Sequence, residues 1–176
     1  AISALSEEEK SRGVVAFSSG NHAQGIAYAS RELGTSAKIV MPSDAPKIKI
    51  WKTQEYGAEV IFYERDEDNR EEIGFSIAME EGRKLIKPFD DLNVIYGQGT
   101  AALEVMDEVD TKFDMSVVCC SGGGLAAGTG IVLKNSLSDC QLYTAEPKDW
   151  NDHEKSFLQN NIVSIKTKKH GMCDAL

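Results

Sequence analysis

Short, mostly apolar runs recur along this chain, and a punctuated helical segment follows nearly every one. Val14-Val15-Ala16-Phe17, Ala37 to Met41, Glu59 to Phe62, Met115 to Cys120 and Gln141 to Ala145 have the length and character of strands in a sheet covered on both faces. Between them lie helical patterns. Ala23, Ile26, Ala27 and Leu33 share one face of a helix that follows Asn21 and stops at Gly34. Pro46 opens a second helix, which runs to about Tyr56 and ends at Gly57. Ile73, Ile77 and Ala78 mark a third, ending near Gly82, and Ala102, Val105, Met106 and Val109 a fourth. Leu125 to Leu133 is a fifth, rich in small residues, while Glu7 to Arg12 ends a helix stopped by Gly13. Alternation of this kind predicts an α/β protein: a three-layer αβα arrangement with mostly parallel sheets and right-handed crossovers.

Charge narrows the partners. Nineteen Lys and Arg against 28 Asp and Glu leave a formal net charge of −9. That balance argues against nucleic acid or an anionic membrane surface, and no apolar run is long enough to span a bilayer. A small anionic ligand stays open, because backbone N–H groups bind anions without any Lys or Arg. The acidic run from Glu64 to Arg70 reads as a solvated loop. The four cysteines, Cys119, Cys120, Cys140 and Cys173, have neither zinc-ribbon nor disulfide-framework spacing. They read as buried, reduced thiols of a cytoplasmic protein, with Cys119 and Cys120 on opposite faces of their strand. His153 and His170 have no partner suggested by spacing and are expected at the surface.

Lys84 to Tyr96 is irregular, and a domain boundary is expected there. The division reads as residues 1–12, the end of a large-domain helix and a linker; 13–95, a small α/β domain; and 96–176, part of a larger domain.

Two turns and one loop sit where open α/β sheets gather ligands, at the carboxyl ends of strands. Ser18-Ser19-Gly20-Asn21-His22 sets two hydroxyls, an amide and an imidazole just before a helix N-terminus. An anion such as a carboxylate suits that place, and so does simple helix capping by Ser19 or Asn21. In Ser121-Gly122-Gly123-Gly124-Leu125, glycines between strand and helix let backbone N–H groups approach a phosphate. The same stretch also reads as G-x-G-x-x-A through Gly122, Gly124 and Ala127, with Glu146 about 20 residues on, which imitates a dinucleotide fingerprint. Glu146 to Asp152 crowds oxygen ligands suited to Mg²⁺ or Ca²⁺, or is a solvated loop in which Asp152 caps the next helix.

Taken together and in order, Ser18 to His22 and Ser121 to Leu125 resemble the serine/threonine dehydratase and serine racemase family. So do Val40-Met41-Pro42, Tyr56 to Val60, Gly97-Gln98-Gly99-Thr100 and Ala145-Glu146-Pro147. These are pyridoxal phosphate (PLP) enzymes of fold type II, related to the tryptophan synthase β chain. The resemblance spans nearly the whole chain. It implies that Ser121, Gly122, Gly123, Gly124 and Leu125 hold the PLP phosphate through backbone N–H groups. Ser121 replaces the first of the family's usual four glycines and keeps the N–H. By the same resemblance Asn21 bonds the PLP ring hydroxyl, and Ser18, Gly20 and His22 line the substrate carboxylate pocket. Ser19 matches the serine that exchanges the Cα proton in racemases. Glu146, Asp152 and the carbonyl of Trp150 match divalent-metal ligands.

The family's Schiff-base lysine, in a Ser-Phe-Lys-type motif, would precede the helix corresponding to Ala1 to Lys10; Lys10 is no replacement. The chain therefore reads as an internal portion: a small domain plus part of the large one, inactive alone. The parent would convert serine- or threonine-like substrates to a 2-oxo acid and ammonia, with racemase activity as a second outcome. It is expected to be a cytoplasmic homodimer acting on small amino acids. The alternatives are a non-catalytic PLP- or phosphate-binding module complemented by another chain, or a dinucleotide-binding domain.

Overall fold

The computed structural model describes residues 1–165 and Cys173, so the expectation for His170 lies outside the described residues. The chain divides into two units, Ala1–Pro88 and the residues from Phe89 onward. The break falls inside the irregular stretch at 84–96, seven residues before position 95.

In the first unit, helix α1 (Glu7–Arg12) is complete rather than the end of a longer helix. Ser6 and Glu9 form a capping box: the Glu9 N–H donates to Ser6 Oγ at 3.2 Å and the Ser6 N–H to Glu9 Oε2 at 2.9 Å. Residues 1–12 group with this unit because α1 is tied to it. Arg12 Nε donates to the Gly82 carbonyl at 2.8 Å, and Thr35 Oγ1 to the Lys10 carbonyl at 2.6 Å. Gly13 ends α1 at φ +88°, where a Cβ would stand 2.8 Å from the Ser36 carbonyl oxygen.

Strands β1 (Val14–Phe17), β2 (Ala37–Pro42), β3 (Glu59–Tyr63) and β4 (Lys84–Leu85) form a parallel sheet in the order β3-β2-β1-β4. Helices α2 (Asn21–Glu32), α3 (Lys47–Glu55) and α4 (Arg70–Glu81) connect them. Helix α4 covers one face, setting Ile73 and Ile77 against Val15, Phe17, Val40 and Tyr63. The residues that alternate to the other face, Val14, Ala16, Ile39 and Met41, are fully buried as well. Both α2 and α3 pack on the sheet, completing three layers. Ala23, Ile26 and Ala27 are buried as expected; Leu33 is not, because it lies past the end of α2 as its C-cap.

The second unit contains α5 (Leu92–Glu108), β5 (Met115–Cys119), α6 (Gly124–Ser136), β6 (Gln141–Ala145) and α7 (Asp152–Gln159). Strands β5 and β6 pair in parallel, Met115 opposite Gln141. Helix α5 begins ten residues before Ala102, because Asp91 Oδ1 accepts the N–H groups of Asn93 at 2.8 Å and Val94 at 3.1 Å. Gly97-Gln98-Gly99-Thr100 is therefore helical. Gly99 meets Gly128 of α6 backbone to backbone: a Cβ on Gly128 would lie 2.4 Å from the Ile95 carbonyl oxygen and 2.6 Å from the Gly99 nitrogen. Small residues in both helices permit that approach.

Candidate functional site

β5 ends at Cys119 and α6 begins at Gly124, so the glycine turn feeds directly into a helix N-terminus. Gly123 is the N-cap at φ +81°, and no side chain caps the helix. Among the described residues no acceptor meets the backbone N–H groups of Ser121 through Ala126. Gly124 and Ala126 are buried, and buried backbone donors in folded proteins are almost always satisfied. A run of open donors at the positive end of a helix dipole fits a phosphate dianion.

The glycines have a second role. A Cβ on Gly122 would stand 2.2 Å from Phe89 Cδ1, and one on Gly123 would stand 3.3 Å from His153 Cε1. Side chains from elsewhere in the unit occupy the space that side chains on the turn would need.

The carboxylate loop lies beside this turn. One of the two readings of this loop has Asp152 capping the following helix; in the structure Glu146 supplies that cap. Its Oε1 accepts the His153 N–H at 3.1 Å and its Oε2 the Glu154 N–H at 2.9 Å. Glu146 reaches both donors from the end of β6, whereas Asp152 is already the first residue of α7. Ligand atoms of Glu146, Asp152 and His153 lie within 4.8 Å of one another, and Trp150 sits in the one-turn helix Lys148–Trp150 that links them. The loop borders an open cleft of about 1060 Å³, also lined by Cys120, Gly123 and Ala126.

Spacing suggests no partner for His153 and predicts it at the surface. It is only partly exposed, and its Nε2 is hydrogen-bonded to the Ser121 carbonyl. The partner is 32 residues away in sequence, so no local spacing signals the contact.

The thiols also differ from expectation. Of the four free cysteines only Cys120 is buried; Cys119 and Cys173 are exposed and Cys140 is intermediate. Cys119 and Cys120 do face opposite ways. Burial pushes the Cys120 thiol above its ordinary pKa, and the nearby charges of Glu146 and Asp152 add to that.

In the first unit, β1 leads into α2 through Ser18, Ser19 and Gly20. Capping does not explain these polar residues, since no side chain caps α2. Ser18 Oγ accepts the Gly20 N–H at 3.1 Å, which tightens the turn, and the Ser18 N–H donates to the Val40 carbonyl at 3.1 Å. Ser19 is 3% exposed and Asn21 is exposed. His22 Nε2 lies 3.3 Å from the Ile86 carbonyl oxygen. The two units thus hold the candidate residues as two groups, Ser18 to His22 in one, Ser121 to Leu125 with Glu146, Trp150 and Asp152 in the other.

Comparison with known proteins shows the family. A family model described as "Pyridoxal-phosphate dependent enzyme" matches residues 1–175. Serine racemase of Schizosaccharomyces pombe is 44% identical over 169 residues, which cover 96% of this chain and 52% of that protein. L-threo-3-hydroxyaspartate ammonia-lyase of Saccharomyces cerevisiae is 45% identical, with the same coverage. The structure of maize serine racemase superposes with a TM-score of 0.87 at 34% identity, covering 94% of this chain and 50% of that one. The chain spans about half the length of the curated relatives it matches. No helix among the described residues is long and apolar enough to cross a membrane.

Proposed function

This chain belongs to the family of pyridoxal-phosphate dependent enzymes, and on that premise we propose that it is part of a hydroxy-amino-acid ammonia-lyase with racemase capacity. The observation that supports the reading best is the run of open N–H donors from Ser121 to Ala126. Bound there, PLP supplies an electron sink that stabilises negative charge at the substrate Cα. The chain's residues bind and orient. Backbone N–H groups of Ser121, Gly122, Gly123, Gly124 and Leu125 hold the phosphate. The Asn21 amide hydrogen-bonds the ring hydroxyl, and Ser18, Gly20 and His22 take the substrate carboxylate. Ser19 Oγ exchanges the Cα proton in racemisation. In the lyase reaction a serine- or threonine-like substrate loses its β-hydroxyl as water, regains water and leaves as a 2-oxo acid and ammonia.

No lysine of these 176 residues stands in a Ser-Phe-Lys context; Ser156-Phe157 is followed by Leu158. Turnover by these residues alone is therefore not expected. Glu146 and Asp152, with the Trp150 carbonyl, are the candidate ligands for Mg²⁺ or Ca²⁺; Glu146 would use the lone pairs its two N–H bonds leave. Those bonds also engage the acidic residue that the dinucleotide reading needs for a ribose. Free thiols suit a reducing, cytoplasmic compartment, and a homodimer is the assembly the resemblance implies.

The test uses the purified chain. PLP should change the fluorescence of Trp51 and Trp150 saturably, and NAD should not. Serine, threonine and 3-hydroxyaspartate should give no 2-oxo acid. Addition of a lysine-bearing fragment of a relative should bring up PLP absorbance near the visible edge. Tighter binding of NAD than of PLP, or 2-oxo acid formed by this chain alone, would overturn the reading.

A further inference from the structure

The glycine turn has little of its own to fix its orientation. Ser121-Gly122-Gly123-Gly124 offers side chains at only one position, and glycine rotates freely about its backbone bonds. In a planar trans peptide the carbonyl of one residue and the N–H of the next point opposite ways. Rotating the Ser121–Gly122 peptide by half a turn would thus replace a donor by an acceptor on the side meant for phosphate. Something outside the turn has to choose between the two states.

We propose that His153 makes that choice, as a positioning residue that holds the Ser121 carbonyl on its own side and keeps the Gly122 N–H turned to the opposite one. A carbonyl only accepts, so the His153 Nε2 bonded to it is the protonated ring nitrogen. The ring also sits against Gly123, which leaves it little room to swing away. Its own backbone is fixed in turn: the His153 N–H is bound by Glu146 Oε1. The connection runs from Glu146 through the start of α7 and the imidazole to the Ser121 peptide. Phe89, packed where Gly122 would bear a side chain, closes another side of the turn. The anchor comes from the carboxylate loop, so that loop and the anion-binding turn are parts of one device.

This inference rests on the cofactor reading above, and the test separates the two. The probes are pyridoxamine 5′-phosphate, which cannot form adducts with lysines, and pyridoxamine, which lacks the phosphate. Both are titrated calorimetrically into the full chain and into His153→Ala and His153→Gln. The wild-type chain should prefer the phosphorylated probe. His153→Ala should weaken that probe about tenfold, the effect of roughly one hydrogen-bond donor, and leave pyridoxamine and the urea midpoint unchanged. Gln places an amide N–H near the former Nε2 position, so His153→Gln should recover most of the loss. The amide resonances of Gly122 and Gly123 should shift in His153→Ala and return in His153→Gln. If the wild type does not distinguish the two probes, the phosphate cradle fails and the inference with it. If it does, and His153→Ala binds the phosphorylated probe as tightly as wild type, the inference alone fails. Equal loss for both probes together with a lowered urea midpoint, unrescued by Gln, would also overturn it, as a purely structural role.

Discussion

β1 and β5 are written in the same language and live in different surroundings. Both are short, apolar and parallel-paired, yet every residue of β1 is buried, while Met115 and Val117 of β5 are 58% and 60% exposed. The contrast comes from neighbours. β1 lies between β2 and β4 and is covered on both faces; β5 pairs with β6 alone among the described residues, and its Met115, Val117 and Cys119 face is exposed while Ser116 and Val118 on the other face are partly buried. An apolar run states the environment a strand needs, and the cover on its faces states whether the strand has it. The first unit meets that need with its own residues. The second holds the phosphate-type turn and the carboxylate loop, but leaves an open β5 edge with room for another strand.

Paired truncations test the contrast most strongly. Ile39→Ala removes a fully buried β2 side chain and should cost about 2–5 kcal/mol in urea unfolding. Val117→Ala in β5 should stay within about 0.5 kcal/mol, because much of that side chain already meets water. Equal costs would break the comparison. Next in size is Gly128→Ala, which sets a methyl group against the Ile95 carbonyl and the Gly99 backbone. Helices α5 and α6 must part to admit it, at about 1–3 kcal/mol. Hydrogen exchange should place that loss in the second unit, leaving the amides of β1 and β2 protected.

These positions also mark what the sequence could reveal. From β1 to β3 the strands and helices are legible to within about a residue, because apolar runs end at Gly or Pro and periodicity is local. β4 was not legible: two residues, Lys84 and Leu85, become a strand only by pairing with Val14 and Val15, some 70 positions away. The first half of α5 was hidden because Gly97 and Gly99 look like loop residues, and the reason for Gly99 is the distant Gly128 backbone. Within the candidate site the glycine turn and the carboxylates were legible as chemistry. Two contacts were not: Glu146, rather than the alternative Asp152, caps the helix, and His153 gains a partner across the fold. β4, Gly99 and His153 were missed because contacts distant in sequence override the local pattern; the Glu146 cap, seven and eight residues from its donors, was missed because two carboxylates competed for one helix start.

The smallest expected effect concerns Cys119 and Cys120, neighbours that the last step of β5 separates into solvent and interior. Thiolate is the reactive form, so access and pKa both decide alkylation. With iodoacetamide at about pH 8, Cys119 and Cys173 should react first, and Cys120 should stay protected until urea is added; peptide mass mapping reads the order. The same difference has a sign in stability. The native Cys120 thiol is held above its ordinary pKa, first by burial and then by Glu146 and Asp152, so in alkali the unfolded chain gives up this proton before the folded one does. Its contribution is complete below the unfolded thiol pKa, about 8.5, and falls as pH rises from there through the raised native value. Cys120→Ala should remove that part of the alkaline decline and leave the neutral plateau without it. Alkylation of Cys120 as fast as Cys119 in the native chain would mean that the second unit opens at the base of its anion-binding turn, and that the contrast with the first unit is larger than burial alone conveys.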